Sequence, residues 1–405
     1  MASSRVLNAQ TRDWYALENV ANTALKAGAW SWFIVAVAGQ WIFAFYIAAH
    51  YGGTALRGNF QAWNKTLANG WVAGNSIGNA ALALHLLFAA IITLSGALQL
   101  LPQLRSRFPI FHRWNGRVYV VIAFVMGLSA LYLTLSGRKV VGDWTQHLAV
   151  QINAVLILFC AAVAWRYALA RDFKTHSRWA LRLFLVVGGV WFFRVGLMLS
   201  FLIFKGPVGF DPDTFTGPLI TFLTLAQYLV PLAVLELYLR TKERPGALRR
   251  FAMAATLFVL TLATGAGVFA ATMGMWVPPI KQSFDSRNSI AETLSGTIAS
   301  SGVDEAERQY RFIKAAAPAT YNLDEEQLNS LGYQLLHAKK FKDAIRIFQL
   351  NVEAYPQSAN ACDSLAEAYM DDGDKPQAIA NYEKTLQLNP KSRNAVKMLQ
   401  KLNAP

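Results

Sequence analysis

The chain has 405 residues, of which 54% are hydrophobic and 15% are charged, and its formal net charge is +14. Its mean hydropathy of +0.27 excludes an ordinary soluble protein, and the polar residues are concentrated after residue 272. Much of the positive charge lies in short loops beside apolar segments, which indicates membrane topology rather than nucleic-acid binding. Cys160 lies in an apolar segment and Cys362 in the polar tail, so we expect no disulfide framework.

An N-terminal segment of residues 1–28 precedes seven apolar stretches, each long enough to cross a bilayer as a helix. The first stretch does not resemble a signal peptide, because its apolar core is long and no clear small-x-small cleavage site follows it. We therefore predict an all-α fold in which residues 29–272 form a polytopic transmembrane helical bundle of about seven spans. The predicted spans are 29–49, 79–101, 118–137, 147–168, 180–204, 217–239 and 251–272.

Arginine and lysine are distributed unequally between the two ends of these spans. The three short loops on one side hold only Arg57, Lys65, Arg138, Lys139 and Lys205. The loops and the N-terminal segment on the other side hold Arg5, Arg12, Lys26, Arg105, Arg107, Arg113, Arg117, Arg166, Arg171, Lys174, Arg178, Arg182, Arg240, Lys242, Arg244, Arg249 and Arg250. Because cytoplasmic loops carry the excess of basic residues, the N-terminus is predicted to be cytoplasmic. After seven spans the C-terminal domain is then periplasmic, which predicts a multi-pass protein of a bacterial inner membrane.

Four histidines lie near the N-terminal ends of the second to fifth spans. Because successive spans run antiparallel, His85 and His147 are predicted towards the outer face, and His112 and His176 towards the inner face. Two layers of two histidines suit a four-helix bundle that holds two b-type haems, with an imidazole on each side of each iron. Electrons could then cross the membrane between the layers. This arrangement resembles the di-haem cytochromes b that act as transmembrane ferric or ascorbate-linked reductases.

The same histidines have simpler interpretations. A histidine at a membrane boundary is usually an interfacial polar residue, and the two layers follow from antiparallel topology once all four lie at N-terminal ends. A zinc site of His147, Asp143 and His85 at the outer face is a further alternative. His50 has no counterpart on another span, and His337 is expected on the surface of the tail.

The two inner histidines lie in similar segments. FHRWNGR and HSRWALR each contain an Arg-Trp pair just after the histidine and a further arginine three residues beyond the tryptophan. We expect both histidines in basic loops just before apolar helices. If they bind a haem, the arginines would face its propionates, because a guanidinium fork matches a carboxylate. These arginines are Arg113, Arg117, Arg178 and Arg182.

Arg194 lies well inside the fifth span, where a charge requires a partner or a water-filled cavity. It follows His176 by five helical turns, so a straight helix would place both side chains on one face, about 27 Å apart along the axis. Arg194 is thus a candidate to bind a haem propionate or an anionic substrate, and a snorkelling or structurally paired arginine is the alternative. Glu236 lies near the inner end of the sixth span, at the wrong depth for a direct bridge.

The polar tail contains a repeat. Two similar stretches end at Pro356 and Pro390, which are 34 residues apart. The period and the small and aromatic positions resemble the tetratricopeptide repeat, which implies a soluble α-solenoid of helix pairs. Such arrays usually bind peptides or proteins, and a docking or spacer module is an equal alternative. The matching positions pair Leu331 with Leu365, Gly332 with Ala366, Ala344 with Ala378, and Phe348 with Tyr382.

The tail is predicted to begin after a linker at residues 273–302 and to cover residues 303–405. Helices at 303–316 and 391–403 are expected to cap the two repeats, although the first is out of phase with the period. The tail resembles the repeat extensions that end many periplasmic and membrane-anchored bacterial proteins.

The membrane half, about residues 29–240, resembles a family of bacterial membrane proteins known as domain of unknown function 2306. The resemblance implies a membrane domain but brings no established reaction. It is carried by His85, FHRWNGRVY at 111–119, HSRWALR at 176–182 and FFR at 192–194.

Two functional hypotheses therefore stand. In the first, the membrane domain is a haem-binding electron-transfer protein, and the tail docks a periplasmic electron partner or a second copy of the chain. In the second, the membrane domain is a non-redox anchor or sensor, and the repeat domain scaffolds protein partners. The sequence has no Gly-rich phosphate loop, nucleophile elbow, CxxC or HExxH pattern that would indicate a particular reaction. Whether the protein is an enzyme therefore stays open.

Overall fold

The computed structural model describes residues 2–67, 70–72, 74–135, 142–212, 214–285 and 287–403. Within them the chain is helical apart from loops and one pair of two-residue strands. The chain divides into two compact units, Met1–Phe284 and Asp285–Pro405. Arg138 and Lys139, which we assigned to the second outer loop, lie outside the described residues.

Within these ranges the first unit contains eleven α-helices. They are α1 (Ala2–Tyr46), α2 (Gly53–Leu56), α3 (Ser76–Leu100), α4 (Pro102–Arg107), α5 (Pro109–Leu135), α6 (Trp144–Leu169), α7 (Phe173–Val187), α8 (Gly189–Phe204), α9 (Pro218–Glu243), α10 (Ala247–Ala271) and α11 (Val277–Phe284). A π-helical turn, Ile47–Gly52, follows α1, and another, Thr272–Trp276, follows α10. A 3-10 helix covers Phe60–Lys65.

The described helices confirm the prediction of an all-α transmembrane bundle. Six are long and apolar enough to cross a membrane, and the bent pair of α7 and α8 makes a seventh if it counts as one span. Their length and composition imply a lipid bilayer as the surroundings.

The fifth predicted span is broken. Gly188 separates α7 from α8, which begins at Gly189, and the two helices are bent by 52°. Neighbouring glycines permit such a kink, because they lack side chains that restrict the backbone. The expectation that His176 and Arg194 share one face assumed a straight helix, and the break between them removes that assumption.

Three helices begin well before the apolar stretches indicate. The backbone of α1 is helical from Ala2, so residues 1–28 are not separate from the first span. Pro109 begins α5, and α7 begins directly after Asp172, whose side chain accepts a hydrogen bond from the Thr175 N–H (3.1 Å). His112 and His176 therefore lie on helices and not in the basic loops that we expected. Proline at a first helical position and aspartate at an N-cap both favour such starts.

Four helices of the first unit form a ring. Contacts join α3 to α5, α5 to α6, α6 to α7, and α7 back to α3. Consequently α3 and α6 occupy opposite corners of the ring, and so do α5 and α7. The predicted haem ligands lie on the second and fourth spans and on the third and fifth. Such ligand pairs require this diagonal arrangement of helices.

The second unit consists of further helices and the two short strands. They are β1 (Asn288–Ser289), α12 (Ile290–Ser301), α13 (Val303–Ala316), β2 (Tyr321–Asn322), α14 (Glu325–His337), α15 (Phe341–Ala354), α16 (Ala359–Asp372), α17 (Lys375–Leu388) and α18 (Arg393–Asn403). The strands are parallel, with Asn288 opposite Tyr321 and Ser289 opposite Asn322. Each helix from α14 to α18 contacts the next, and α14 also contacts α12 and α16.

The helix α12 lies where we predicted a linker. Ser289 caps it by accepting a hydrogen bond from the Glu292 N–H (3.2 Å), and Ile290, Leu294 and Ile298 are buried in the core of the second unit. Their spacing of four residues places them on one helix face. The sequence Ser-Ile-Ala-Glu is also the signature of a capping box, which the prediction of a linker overlooked.

Small residues allow the helix pairs of the second unit to approach closely. A Cβ atom on Gly332 would lie 2.5 Å from the Phe348 ring, so only glycine fits between α14 and α15. In the next pair Ala366, Ala378 and Tyr382 are fully buried together. These contacts lie at the small and aromatic positions that the 34-residue period matched.

Candidate functional site

The first pair of predicted ligands, His85 and His147, lies on opposite corners of the helix ring. The side chains of Asn75 and Asp143 cap α3 and α6, so His85 falls in the third turn of its helix and His147 in the first. His85 Nδ1 and His147 Nε2 are buried, and neither has a hydrogen-bond partner among the described residues. Among the described residues, no hydrogen bond or ring contact joins these two imidazoles directly.

The second pair consists of His112 on α5 and His176 on α7. The two imidazoles on α5 and α7 lie close enough to interact electrostatically. His176 Nδ1 is 2.9 Å from the Ala164 carbonyl oxygen. Because a carbonyl only accepts, Nδ1 must donate, and a neutral ring then carries its lone pair on Nε2. Within the described part of the chain, His112 Nδ1 is buried without a partner.

Apolar side chains fill the ring between the two pairs. Ile92, Ile122 and Leu183 are buried there in one cluster. The Tyr119 ring lies against Gly96, and a Cβ atom on that glycine would be 2.8 Å from it. The histidine pairs are therefore separated by packed protein.

The arginines that we expected at haem propionates have mostly protein partners. Arg182 pairs with Glu236 at 2.7 Å and stacks 4.6 Å from the Trp179 ring, and Arg178 pairs with Glu243. Arg117 stacks 4.8 Å from the Trp114 ring, and Arg113 is exposed. Glu236 thus neutralises Arg182, which agrees with the expectation that it does not bridge Arg194.

The alternative zinc site has no support in the described residues, where no group of three or more His, Cys, Asp or Glu side chains could hold a metal ion. Asp143 instead caps α6. Hydrogen bonds from the Thr145 hydroxyl and the Gln146 N–H hold the pKa of its carboxyl below the ordinary value.

Arg194 on α8 has no carboxylate partner among the described residues. Its guanidinium lies 5.2 Å from the centre of the Phe43 ring and interacts electrostatically with Tyr46. An arginine within a spanning helix requires compensation, because the bilayer interior disfavours an isolated charge. The structure therefore leaves open an anion-binding role for this side chain.

A polar cluster that the sequence did not predict surrounds His50. This histidine is only 1% exposed, and its Nδ1 lies 2.7 Å from Ser283 Oγ and its Nε2 3.1 Å from Thr66 Oγ1. Tyr51 and Tyr46 continue the hydrogen bonds, and the Tyr46 ring stacks on the imidazole. Three polar aromatic residues in YIAAHY at the end of an apolar helix were the available signal.

Residues 82–238 match a sequence family described as predicted membrane protein (DUF2306). No curated protein matches the chain. The matched residues contain all four predicted haem ligands and Arg194, and they end before the second unit. The chain thus carries, in its membrane-spanning half, a region similar to a membrane-protein family of unknown function.

Proposed function

We propose that the first unit is a di-haem b-type electron-transfer protein of a bacterial inner membrane. His85 and His147 hold one haem, and His112 and His176 hold the other. The second unit is a periplasmic tetratricopeptide-repeat domain that binds a protein or peptide partner. The N-terminus is cytoplasmic, as the distribution of basic residues requires.

The observation that carries this proposal is the state of the four imidazoles. Three have a buried ring nitrogen with no partner among the described residues, and His176 keeps Nε2 available because Nδ1 donates to Ala164. Burying a polar nitrogen without a hydrogen bond is unfavourable, so a bound metal would supply the missing interaction. The closed ring of α3, α5, α6 and α7 supports diagonal pairing of the ligands.

The residues of the chain have separate tasks in this proposal. His85 with His147, and His112 with His176, would each hold a haem, and a haem held by two imidazoles would supply electron transfer in preference to oxygen binding. The Ala164 carbonyl orients His176 and fixes its tautomer. Arg113 and Arg117 on α5 have no carboxylate partner among the described residues and remain available to propionates, whereas Arg178 and Arg182 are engaged by Glu243 and Glu236.

A reduced-minus-oxidised visible spectrum of the purified full-length protein tests the proposal. We expect sharp reduced α and Soret bands, and each of four alanine variants, at His85, His112, His147 and His176, should retain about half of the haem. The variants should fall into the two pairs named above. His337→Ala, an exposed residue of the second unit, is the matched control and should retain all of it. A wild type without haem, or four variants with unchanged haem, would contradict the proposal.

The orientation has its own test. A reporter fused after Pro405 that is active only in the periplasm should give a signal, and one that is active only in the cytoplasm should give none. The opposite result would mean that the bent pair α7 and α8 does not cross the membrane.

The second hypothesis, a non-redox anchor whose repeat domain scaffolds protein partners, is favoured by one observation. Side chains, including the Tyr119 ring against Gly96, fill the ring interior between the histidine pairs. This function predicts a purified protein without haem whose soluble second unit alone retains all partner binding. The spectrum described above therefore separates the two hypotheses.

A further inference from the structure

A chain of hydrogen bonds runs around the π-helical turn Ile47–Gly52 in the first unit. The Tyr46 and Tyr51 hydroxyls are 3.1 Å apart, and Tyr51 is 3.0 Å from Thr66 Oγ1. Thr66 Oγ1 is in turn 3.1 Å from His50 Nε2. π-helical turns are rare in proteins overall, but those that occur are frequently at functional sites. This turn contains two members of the chain, His50 and Tyr51.

The partners of Ser283 fix the direction of these hydrogen bonds. Its hydroxyl donates to the Pro279 carbonyl oxygen (2.8 Å), which can only accept. This contact is shorter than the 3.3 Å between Thr66 Oγ1 and the Trp63 carbonyl oxygen, so we assign the neutral tautomer in which His50 Nδ1–H donates to Ser283 Oγ and Nε2 accepts from the Thr66 hydroxyl. Thr66 accepts from Tyr51, and Tyr51 from Tyr46. Every donor points from Tyr46 to His50, so the oxygen of Tyr46 is the accepting end of the chain.

The same cluster also accommodates a protonated His50. Nδ1–H still donates to Ser283, and Nε2–H now donates to Thr66 Oγ1. The Thr66 hydroxyl then turns to the Trp63 carbonyl oxygen, which is 3.3 Å away. Both protonation states of His50 thus keep both ring nitrogens hydrogen-bonded, so a proton can reach this ring without leaving a buried polar group unsatisfied.

Arg194 lies beside the accepting end of the chain. Its guanidinium lies 5.2 Å from the centre of the Phe43 ring, which in turn stacks on the Tyr46 ring with 6.1 Å between the ring centres, and no carboxylate of the described residues pairs with it. The basic side chains Arg178, Arg182 and Arg250 of the same unit all have a glutamate partner. Arg194 therefore differs from them in lacking an anion, although it lies within a membrane-spanning helix.

We propose that Arg194 and Tyr46 bind the carboxyl group of a membrane-soluble carboxylic acid, which ionises at this site. The acid enters neutral, because a neutral group partitions into the bilayer far more readily than a carboxylate. Its O–H donates to the Tyr46 oxygen, which is the accepting end of the chain in the tautomer assigned above.

The proton transfer balances within the chain. The acid gives its proton to Tyr46 as the Tyr46 proton passes to Tyr51, the Tyr51 proton to Thr66, and the Thr66 proton to His50 Nε2. Only O–H and N–H bonds form and break. The products are a carboxylate paired with the Arg194 guanidinium and an imidazolium at His50. A charge-assisted pair with the planar guanidinium holds the carboxylate.

This site extends beyond the proposed electron transfer and does not depend on it. Two sources could supply the carboxyl group: a propionate of a haem at His85 and His147, or a free amphiphilic acid. Leu82 and Leu86, on either side of His85, pack against the apolar cluster that contains Phe43 and Trp191. His85, a proposed haem ligand, therefore lies in the same region of the first unit as Arg194, which contacts Phe43.

Infrared spectroscopy with palmitic acid, 13C-labelled at the carboxyl group, tests the inference. The full-length protein in detergent micelles, prepared with and without haem, is titrated with the labelled acid. We expect a single bound label per chain in the haem-free protein, ionised at neutral bulk pH. Label bound to both preparations identifies a free amphiphile as the natural source, and label excluded by haem identifies the propionate.

Two variants of the site and one control decide the outcome. Arg194→Met should weaken binding by about tenfold or more, since hydrogen bonds to a charged group are lost. Tyr46→Phe should leave the bound label protonated, because the accepting oxygen is absent. Tyr228→Phe removes another buried hydroxyl of the first unit and should change neither measurement.

The inference is overturned if the haem-free protein binds no label, or if Arg194→Met binds and ionises it as the wild type does. Size-exclusion profiles identify variants that fail to fold, and either site variant alone suffices for the decision. A missing haem spectrum contradicts the proposed electron transfer but leaves these infrared results unaffected, so the two failures are distinguishable.

Discussion

In the first unit, Glu18 and Arg250 form an ion pair whose side chains are 7% and 12% exposed, whereas Glu353 and Arg311 of the second unit pair at 56% and 57% exposure. The two cases have different energetics. Exposed pairs contribute little because water screens them, while a buried pair becomes costly when one partner is lost. The Glu18–Arg250 pair is therefore a strong structural constraint in the first unit, whereas the Glu353–Arg311 pair adds little to the apolar packing of the second. Substitutions and truncations in one unit at a time test this difference.

The largest effect is expected from removing α12 from the second unit. A fragment of residues 285–405 keeps the buried Ile290, Leu294 and Ile298, and a fragment of residues 303–405 lacks them. Losing the burial of three large side chains costs roughly 5–9 kcal/mol, comparable to the whole stability of a small domain. Circular dichroism with urea titration should show cooperative unfolding of the longer fragment only. Equal stability of both would show that α12 packs on the unit without supporting it.

Breaking the buried ion pair should have the next largest effect. Glu18→Ala leaves Arg250 without its carboxylate and removes the acceptor of the Gly246 N–H. We expect a loss of about 3–5 kcal/mol in the free energy of unfolding, measured by denaturant titration in detergent micelles. Glu353→Ala in the exposed pair is the matched control and should cost about 1 kcal/mol or less. Similar losses in both variants would remove the contrast between the units.

Two glycines of the second unit should respond in opposite directions to alanine. At Gly332 a Cβ atom would lie 2.5 Å from the Phe348 ring, so Gly332→Ala should overpack the core and cost about 1–3 kcal/mol. At Gly296, a helical position of α12, the new methyl group meets no neighbouring atom within 4 Å. Gly296→Ala should stabilise the 285–405 fragment by about 0.5–1 kcal/mol, because alanine favours the helix. Thermal unfolding of both variants measures the difference, and a tolerated Gly332→Ala would show that α14 and α15 can separate.

Periodic features of the sequence were predictable and long-range polar contacts were not. Apolar stretches predicted the transmembrane bundle, because each spanning helix must satisfy its own backbone hydrogen bonds. The break at Gly188 escaped prediction, since glycine is also common in straight packed helices. His50 and Ser283 are 233 residues apart, and no spacing rule joins two such positions. The prediction that His112 and His176 lie towards the same face followed from antiparallel topology, whereas the glutamate partners of Arg178 and Arg182 depend on the approach of α9 to α7.

The smallest effect concerns a buried charge in the second unit. Burial raises the pKa of the Asp363 carboxyl, and the hydrogen bond from Asn394 Nδ2 (2.8 Å) only partly opposes this. Below the unfolded-state pKa both states bind the proton and there is no penalty. As pH rises above that value the unfolded chain ionises first, so stability falls until the pKa of the folded state is passed. Asp363→Asn keeps an acceptor for Asn394 and carries no charge. It should stabilise the 285–405 fragment by about 1 kcal/mol near pH 7, with the gain vanishing at about pH 3. Urea titrations at the two pH values measure this, and a gain that persists at low pH would assign the effect to packing instead of ionisation.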